Sequence, residues 1–470
     1  MARNFSKKMK YANVFRAAKE SSNKAADSIG KKPTTGHLLK FALPTILSML
    51  IMSTFGIVDG IFVSRVIDQT ALAAVVIVFP FLSFVMAIGF MLGVGGNALV
   101  AKKIGEGQAK EGRENFSLIA LTAFIVSLAI ALIGIFFPSF ILGILGADDH
   151  VYYMAREYMM PLLYFMPPII LGMVFQQFLI TEGKAHISAI MAFLGGLTSA
   201  GLNYLFIYLL DMGLQGAALA TSIGYTLPAI VGVIYFTFKR TGNLYFVKPK
   251  LDFRALGRAC INGASEMVTM LATSIVTVLL NNILMDIDGG GIEAVSAAGI
   301  IFAGMGIFAA LFVGYSSGVI PIISYNFGKN DKENLGLTYR NSLKIIGVTS
   351  LLAIGLALLS TDLLLRVYGI PAGTAIHDMT RTGFTFLVGG FIFMGFNTFA
   401  SMFFTALNNG VVSSILSLFR TLIFVSIAFA TLPPLFGLTG AWMSMPAAEV
   451  LAITLTIFFF VKMKKKYGYA

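Results

Sequence analysis

The sequence predicts an all-α integral membrane protein, with twelve transmembrane helices in two six-helix lobes related by a parallel pseudo-two-fold repeat. Three observations predict it. The composition is too apolar for a water-exposed surface: of 470 residues, 57% are hydrophobic and 12% are charged, about half the charged share of a soluble domain, and the mean hydropathy is +0.84. The apolar residues gather into twelve runs of membrane-crossing length. The chain also repeats itself at an offset near 224 residues. Together these exclude an ordinary soluble enzyme, a disordered chain and a nucleic-acid-binding domain.

Taken in order, residues 1–36 form a basic tail with nine Lys and Arg. The tail lacks the apolar core of a secretory signal and is expected to lie solvated against anionic lipid. Apolar runs follow at about 38–63, 71–95, 115–137, 156–180, 186–209 and 215–238, making an N-lobe over 37–240. A basic linker, 241–256, leads to a C-lobe over 257–461 with runs at about 257–284, 292–319, 339–359, 378–404, 411–432 and 438–461. A basic tail, 462–470, closes the chain. Runs of roughly 20 residues suit helices; the alternating ten-residue segments of a membrane barrel do not occur. Prolines inside the runs predict kinks, and Pro167-Pro168 marks the sharpest.

The net charge of +12 reads as topology. Lysines crowd the loops near 102–113, 181–186, 239–256 and 329–338 and the tail after 461, while the opposite loops hold Asp68, Asp148, Asp149, Asp211, Asp286, Asp288 and Asp362. The positive-inside rule puts both termini in the cytoplasm, which requires an even number of spans. The single cysteine, Cys260, excludes an internal disulfide and a multi-cysteine metal cluster. His37, His150, His186 and His377 form no metal-ligand spacing. No metal site and no cofactor are expected.

The repeat carries the functional reading. Gly213-Leu214-Gln215-Gly216-Ala217 opens the sixth span and Gly437-Leu438-Thr439-Gly440-Ala441 the twelfth, 224 residues later. Gly105-Glu106-Gly107-Gln108 matches Gly328-Lys329-Asn330-Asp331 at 223, and Thr181-Glu182-Gly183 matches Asn408-Asn409-Gly410 at 227. Six spans per half give both halves one orientation, so the relating axis runs along the membrane normal. Two such bundles enclose a cavity that rocking opens to alternate sides. With no G-x-x-x-x-G-K-[ST] loop, an ion gradient is the energy source; one charge crossing the membrane yields about 2.3 kcal/mol per 100 mV.

Ionisable residues inside spans are functional candidates because a charge in hydrocarbon costs about 2.5–3.5 kcal/mol on insertion scales. They are Asp59 on the first span, Glu266 on the seventh, Arg420 on the eleventh and Glu449 on the twelfth. Each has a structural alternative: solvation of Asp59 near the outer surface, a hydrogen bond from Glu266 to Thr269 or Asn262, and Arg420–Glu449 pairing as helix glue. The amides Asn97, Gln176, Gln177, Asn203, Asn281, Asn282 and Asn397 extend the polar set. An offset of 223 places Asn282 opposite Asp59, so the lobes are chemically unequal there. The 23 Met and 42 Phe could furnish an adaptable cavity for organic cations.

The chain resembles the MATE (multidrug and toxic compound extrusion) family over nearly all of 31–461. The likeness rests on Pro44 with Val58-Asp59-Gly60-Ile61-Phe62-Val63, on Ala71-Leu72-Ala73-Ala74, on Leu202-Asn203-Tyr204-Leu205-Phe206-Ile207-Tyr208 and on Gly216-Ala217-Ala218-Leu219-Ala220-Thr221. The Gly-rich loops and Ser413–Ile415 resemble its MepA-like branch. The resemblance implies a bacterial inner-membrane exporter of amphipathic, often cationic compounds, a monomer that exchanges them for H⁺ or Na⁺. It makes Asp59 the main ion-coupling residue, with Asn203 where some members carry a fifth-span acid. Glu266 and Asn397 fall at seventh- and tenth-span positions that hold cation-binding acids in others. A tenth-span amide weakens a sodium site, which favours H⁺. The ion-coupling candidates are thus Asp59, Glu266, Asn203, Asn282 and Asn397, and the substrate-cavity candidates Gln176, Gln177, Arg420 and Glu449. The alternatives are a lipid-linked oligosaccharide flippase of the same wider superfamily, which would favour an Arg-rich cavity, and a membrane-embedded prenyl transferase, which would need more than the single acidic pair Asp148-Asp149.

Overall fold

The computed structural model describes residues 29–66, 69–147, 149–240 and 242–469; the side chains of 56–66, 69–73, 76, 149 and 150 lie outside that description. The described residues are helices joined by short turns. In chain order they are α1 Thr35–Val66, α2 Gln69–Gly105, α3 Ala109–Phe136, the short α4 Pro138–Ile144, α5 Asp149–Tyr164, α6 Met166–Thr181, α7 Ala185–Asn203 and α8 Gly213–Phe238. The second half contains α9 Phe253–Asp286, α10 Ile292–Gly328, α11 Lys332–Val367, α12 Ala375–Gly389, α13 Phe391–Ala406, α14 Gly410–Leu418 and α15 Phe424–Tyr467. Two π segments, Tyr204–Leu209 and Phe419–Ile423, continue α7 and α14.

Nine of the described helices are long and apolar enough to cross a membrane, and two bent pairs raise the number to eleven. The last run, Gly410–Tyr467, has 58 residues. At 1.5 Å per residue that is about 87 Å, far beyond a hydrocarbon core of about 30 Å. It breaks at Gly437, whose φ of 59° and ψ of −143° are not helical. Two spans result, and the total is the twelve that the sequence predicts. The outward surface is inverted relative to a soluble protein: Phe136, Phe238 and Leu359 are 71%, 79% and 82% exposed, as side chains facing lipid should be.

The two halves repeat the same backbone devices. The helix-ending turns after α2 and α10 are Schellman motifs. Gly107 N–H donates to the Ile104 carbonyl and Gln108 N–H to that of Lys103; Asn330 and Asp331 donate likewise to Phe327 and Asn326. The turns after α6 and α13 repeat the pattern, with Gly183 and Lys184 bonded to Ile180 and Leu179, and Asn408 and Asn409 to Thr405 and Phe404. The left-handed residue is Gly107, Asn330, Gly183 or Asn408, with φ between 56° and 78°. Gly and Asn tolerate that conformation best. Gly183 therefore matches Asn408, which corrects the sequence register of 227 to 225. The pattern Thr181-Glu182-Gly183 was drawn to the next glycine, although Asn fills the turn equally well.

The fourth and tenth spans share a bend as well. Val151–Tyr164 meets Met166–Thr181 at 56°, and Ala375–Gly389 meets Phe391–Ala406 at 53°. Prolines flank the first break: the Pro161 carbonyl still accepts from Phe165 N–H, and Pro167 sits at the start of α6, where its missing N–H costs nothing. The second break, at Gly389-Gly390, contains no proline.

The halves meet along α1 and α2 of the first and α9 and α10 of the second. A Cβ on Gly105 would overlap the Tyr325 carbonyl, and a Cβ on Gly328 would overlap the Lys102 carbonyl. These reciprocal contacts place the pseudo-axis between the ends of α2 and α10. Those ends lie at the face carrying the Lys-rich loops, called the basic face below. The stretch after α8 docks on the first half: Phe246 stacks on Phe116 at 5.2 Å, and Val247 N–H donates to Ser117 Oγ at 3.0 Å. Asp252 ends it by capping α9, accepting from Arg254 and Ala255 N–H. The bond from Ala255 is the main reason its carboxyl lies below the ordinary range.

Candidate functional site

A cavity of about 540 Å³ opens inside the second half, walled by α9, α10, α12 to α15 and the π segment after α14, with Phe79 of α2 reaching in from the first half. That volume is in the range of small-molecule sites. Its walls combine Phe302, Phe391, Met305, Met394 and Met402 with three charged groups, Glu266, Arg420 and Glu449.

Arg420 stands on the π segment Phe419–Ile423. Its Nη2 lies 2.8 Å from Glu449 Oε1, and its Nε donates to both carboxylate oxygens at 2.9 and 3.0 Å. Both side chains are largely buried, at 14% and 17% exposure. Asn397 of α13 completes the group. Its Nδ2 donates to Glu449 Oε2 at 2.7 Å and to the Glu449 carbonyl at 3.0 Å, while its Oδ1 accepts from Thr456 Oγ1 at 2.8 Å. A carboxylate at position 397 would set two anions against each other, and the amide instead spends both ends on its neighbours. Arg420 and Glu449 thus do pair across helices, and they do so on the cavity wall.

Glu266 lines the same cavity and makes no hydrogen bond or ion pair among the described residues. The partners expected for a structural role are engaged elsewhere: Thr269 Oγ1 donates to the Ser265 carbonyl, and Asn262 bonds Asn408 and the Gly410 N–H. With Arg420 held by Glu449, the charge left over among the described lining residues is that of one carboxylate.

The remaining sequence candidates do not converge on this cavity. Gln176 lines a narrow cavity of about 50 Å³ in the first half, beside Phe55, Tyr225 and Pro228. Gln177 lines neither; its Oε1 accepts from Ser317 Oγ of α10 at 3.3 Å, tying the two halves together. Asn203 is buried where α7 passes into its π segment. Asn282 is exposed on α9. The backbone of Asp59 belongs to α1, and its side chain lies outside the described residues, as do those of Asp68 and Asp148.

Two features escape a residue-by-residue reading. Starting on the cavity wall at Ser401 and Ser417, five buried hydroxyls join three helices: Ser417 to Ser401 at 2.9 Å, Ser401 to Ser413 at 3.0 Å, Ser413 to Thr405 at 2.7 Å and Thr405 to Ser265 at 3.2 Å. Their i, i+4 spacing on α13 (401, 405) and α14 (413, 417) was the available signal. The other is Glu182, the residue after α6. Its carboxylate accepts from Asn243 and Leu244 N–H, each at 2.9 Å, and Arg113 donates to the Asn243 carbonyl. Burial pushes its pKa up to about 7, against the two backbone donors and nearby Lys184 and Lys239.

The comparisons with known proteins agree with this architecture. The MatE family model matches residues 44–205 and 261–430, most of each half. Multidrug export protein MepA of Staphylococcus haemolyticus (strain JCSC1435) is 25% identical over 438 residues, covering 91% of this chain and 94% of that protein. MepA of Staphylococcus aureus (strain MRSA252) is 24% identical, covering 90% and 92%. Among solved structures, an outward-facing MATE-family multidrug resistance transporter of the MOP superfamily has a TM-score of 0.87 at 20% identity, covering 94% of this chain and 99% of its own. A MATE in complex with MaL6 has a TM-score of 0.86 at 22% identity, with the same coverage. The fold is shared at that level, and the sequence match spans both halves: the chain belongs to the MATE family of membrane transporters and is of the MepA-like type.

Proposed function

We propose that this transporter exports bulky organic cations in exchange for protons, by alternating access of the cavity that holds Glu266. The observation that carries the reading is Glu266. It is a carboxylate with no hydrogen bond or ion pair among the described residues, in a Met- and Phe-lined cavity whose arginine is already paired with Glu449. An organic cation gains from the carboxylate and from the ring faces. A proton on Glu266 removes the attraction, so proton and substrate compete for one site. The likeness to MepA, a multidrug export protein, supports the same substrate class.

Protons fit better than sodium. Sodium needs several oxygen ligands, as hard cations do, and Asn397 has committed its oxygen to Thr456. A flippase for a diphosphate lipid would need free cationic side chains, whereas Arg420 is bound to Glu449. Asp59, the main coupling candidate of the sequence, stands on the first half, and its side chain lies outside the described residues.

The test uses protein in liposomes, a fluorescent lipophilic cation, and a pH gradient or a sodium gradient imposed separately. The pH gradient should drive export, and Glu266→Gln should lower the rate at least tenfold. Asp59→Asn reports whether the first half holds a second coupling site. Transport driven by sodium alone, or a Glu266→Gln rate equal to wild type, would overturn the assignment.

A further inference from the structure

At the basic face a cleft of about 240 Å³ separates the two halves. Its volume equals roughly eight waters at ~30 Å³ each, enough for a phosphate and the glycerol attached to it. Lys102 and Lys103 of α2 and Glu106 in the turn after it form one wall; Arg258 and Ile261 of α9, with Val411 at the start of α14, form the other. Asn262 fixes the back of the cleft, its Nδ2 on Asn408 Oδ1 at 2.8 Å and its Oδ1 accepting Gly410 N–H at 3.1 Å.

The charges do not balance. Glu106 is 3.7 Å from Lys102 and 3.2 Å from Lys103, and Lys103 also meets Glu111 at 3.0 Å, a carboxylate outside the cleft. Arg258 makes no ion pair or hydrogen bond among the described residues, though its charge is felt by Asp252 six residues earlier. Counting all three cations against both carboxylates leaves one positive charge. The rim is apolar and open: Ile261 is 52% exposed and Val411 61%, on helices that run into the membrane. A site with one surplus cation, an exposed arginine on the wall of a polar cleft edged by exposed aliphatics, matches the outline of one molecule class.

We propose that an anionic phospholipid of the leaflet at the basic face seats its phosphate between Lys102 and Arg258 and lays an acyl chain along Ile261 and Val411. The phosphate then bridges the first half to the second and favours the arrangement closed at that face. Arginine suits the role because its fork can meet two phosphate oxygens at once, and anionic lipid is the form enriched beside basic juxtamembrane segments.

The experiment is native mass spectrometry and thermal melting of the full chain in detergent. Phosphatidylglycerol, phosphatidylcholine or inorganic phosphate is added to wild type, Arg258→Gln, Lys102→Gln, Arg258→Lys and the outlying control Lys110→Gln. Phosphatidylglycerol should bind and raise the Tm of wild type and of Lys110→Gln. Its apparent affinity should fall at least fivefold in Arg258→Gln and Lys102→Gln and less in Arg258→Lys. Equal binding of phosphatidylcholine would overturn the proposal, as would affinity unchanged in both neutral variants. Inorganic phosphate reproducing the whole Tm rise would instead show a free-anion site and refute the lipid. Each variant's melting without added lipid reports its folding, and if Arg258→Gln does not fold, Lys102→Gln decides.

Discussion

The two halves share a backbone plan and differ in what they do with it. Both end their second and fourth spans in the same Schellman turns, bend the fourth span by 56° or 53°, and put a π segment in the fifth. Yet the first half makes its bend with prolines and the second with Gly389-Gly390. The large cavity, with its three charged side chains, lies in the second half. In the first half a narrow cavity of about 50 Å³, lined by Gln176 and Tyr225, has no charged side chain, and the larger open pocket of about 370 Å³ beside the start of α8 holds the carboxyls Glu157 and Asp211 but no cation. Geometry is duplicated here and chemistry is not. A bend constrains only the backbone, which several sequences can satisfy, whereas a buried charge must be matched by particular neighbours.

The sharpest way to break the comparison is to remove the charge pair Arg420–Glu449, which has no counterpart among the described residues of the first half's fifth and sixth spans. Arg420→Met leaves Glu449 in the cavity wall with only the Asn397 amide. Breaking one side of a buried pair costs about 3–5 kcal/mol, so the Tm should drop steeply. Arg420→Met with Glu449→Met should recover most of the loss, because the double change strands no charge. If single and double variants melt alike, the pair contributes no more than ordinary packing.

A smaller effect tests what the halves share. Gly105 and Gly328 press on each other's helices through backbone carbonyls. Gly105→Val and Gly328→Val should each cost about 1–3 kcal/mol as overpacking and wedge the halves apart at the basic face. Cys260, half-buried on α9, gives the readout: its labelling by a thiol reagent should speed up in both variants. If only one responds, the reciprocal packing is not symmetric in energy.

The fold was legible because its signals are long. Twelve apolar runs survive boundary errors of several residues, and α2 merely continues past its apolar run to Lys102 and Lys103, cations that suit a helix C-terminus. The site was legible only in part. Glu266, Arg420 and Glu449 stand out one at a time, since any charge in an apolar run does. That Arg420 meets Glu449 across 29 residues, or that Asn397 holds Glu449 across 52, depends on helix rotation that apolar all-round spans do not encode. Gln177 shows the converse: a polar residue in a span served the contact between halves. Glu182 was hidden because a carboxylate in a Lys-rich loop reads as solvated, and only the docked chain at Asn243 and Leu244 buries it.

Glu182 supports the smallest prediction, one in which pH changes stability. Its carboxyl titrates near 7 in the fold and near 4.5 when exposed, so between those values the folded state holds the proton that the unfolded state has released. Stability from this group is therefore complete below about pH 4.5, falls as pH rises toward 7, and is flat beyond. Deprotonation gives the two backbone N–H groups an anion to bond, but burial outweighs them. Glu182→Gln keeps an oxygen for those donors and removes the titration. Its Tm should match wild type at low pH, exceed it at pH 8, and lose the slope between. The stretch after α8 should follow, with amide exchange at Asn243 and Leu244 faster at pH 8 than at pH 5 in wild type once the intrinsic pH dependence is divided out. Equal slopes in both proteins would mean that Lys184 and Lys239 offset the burial of the carboxylate, and that the linker is held by Phe246, Arg113 and the Val247–Ser117 bond.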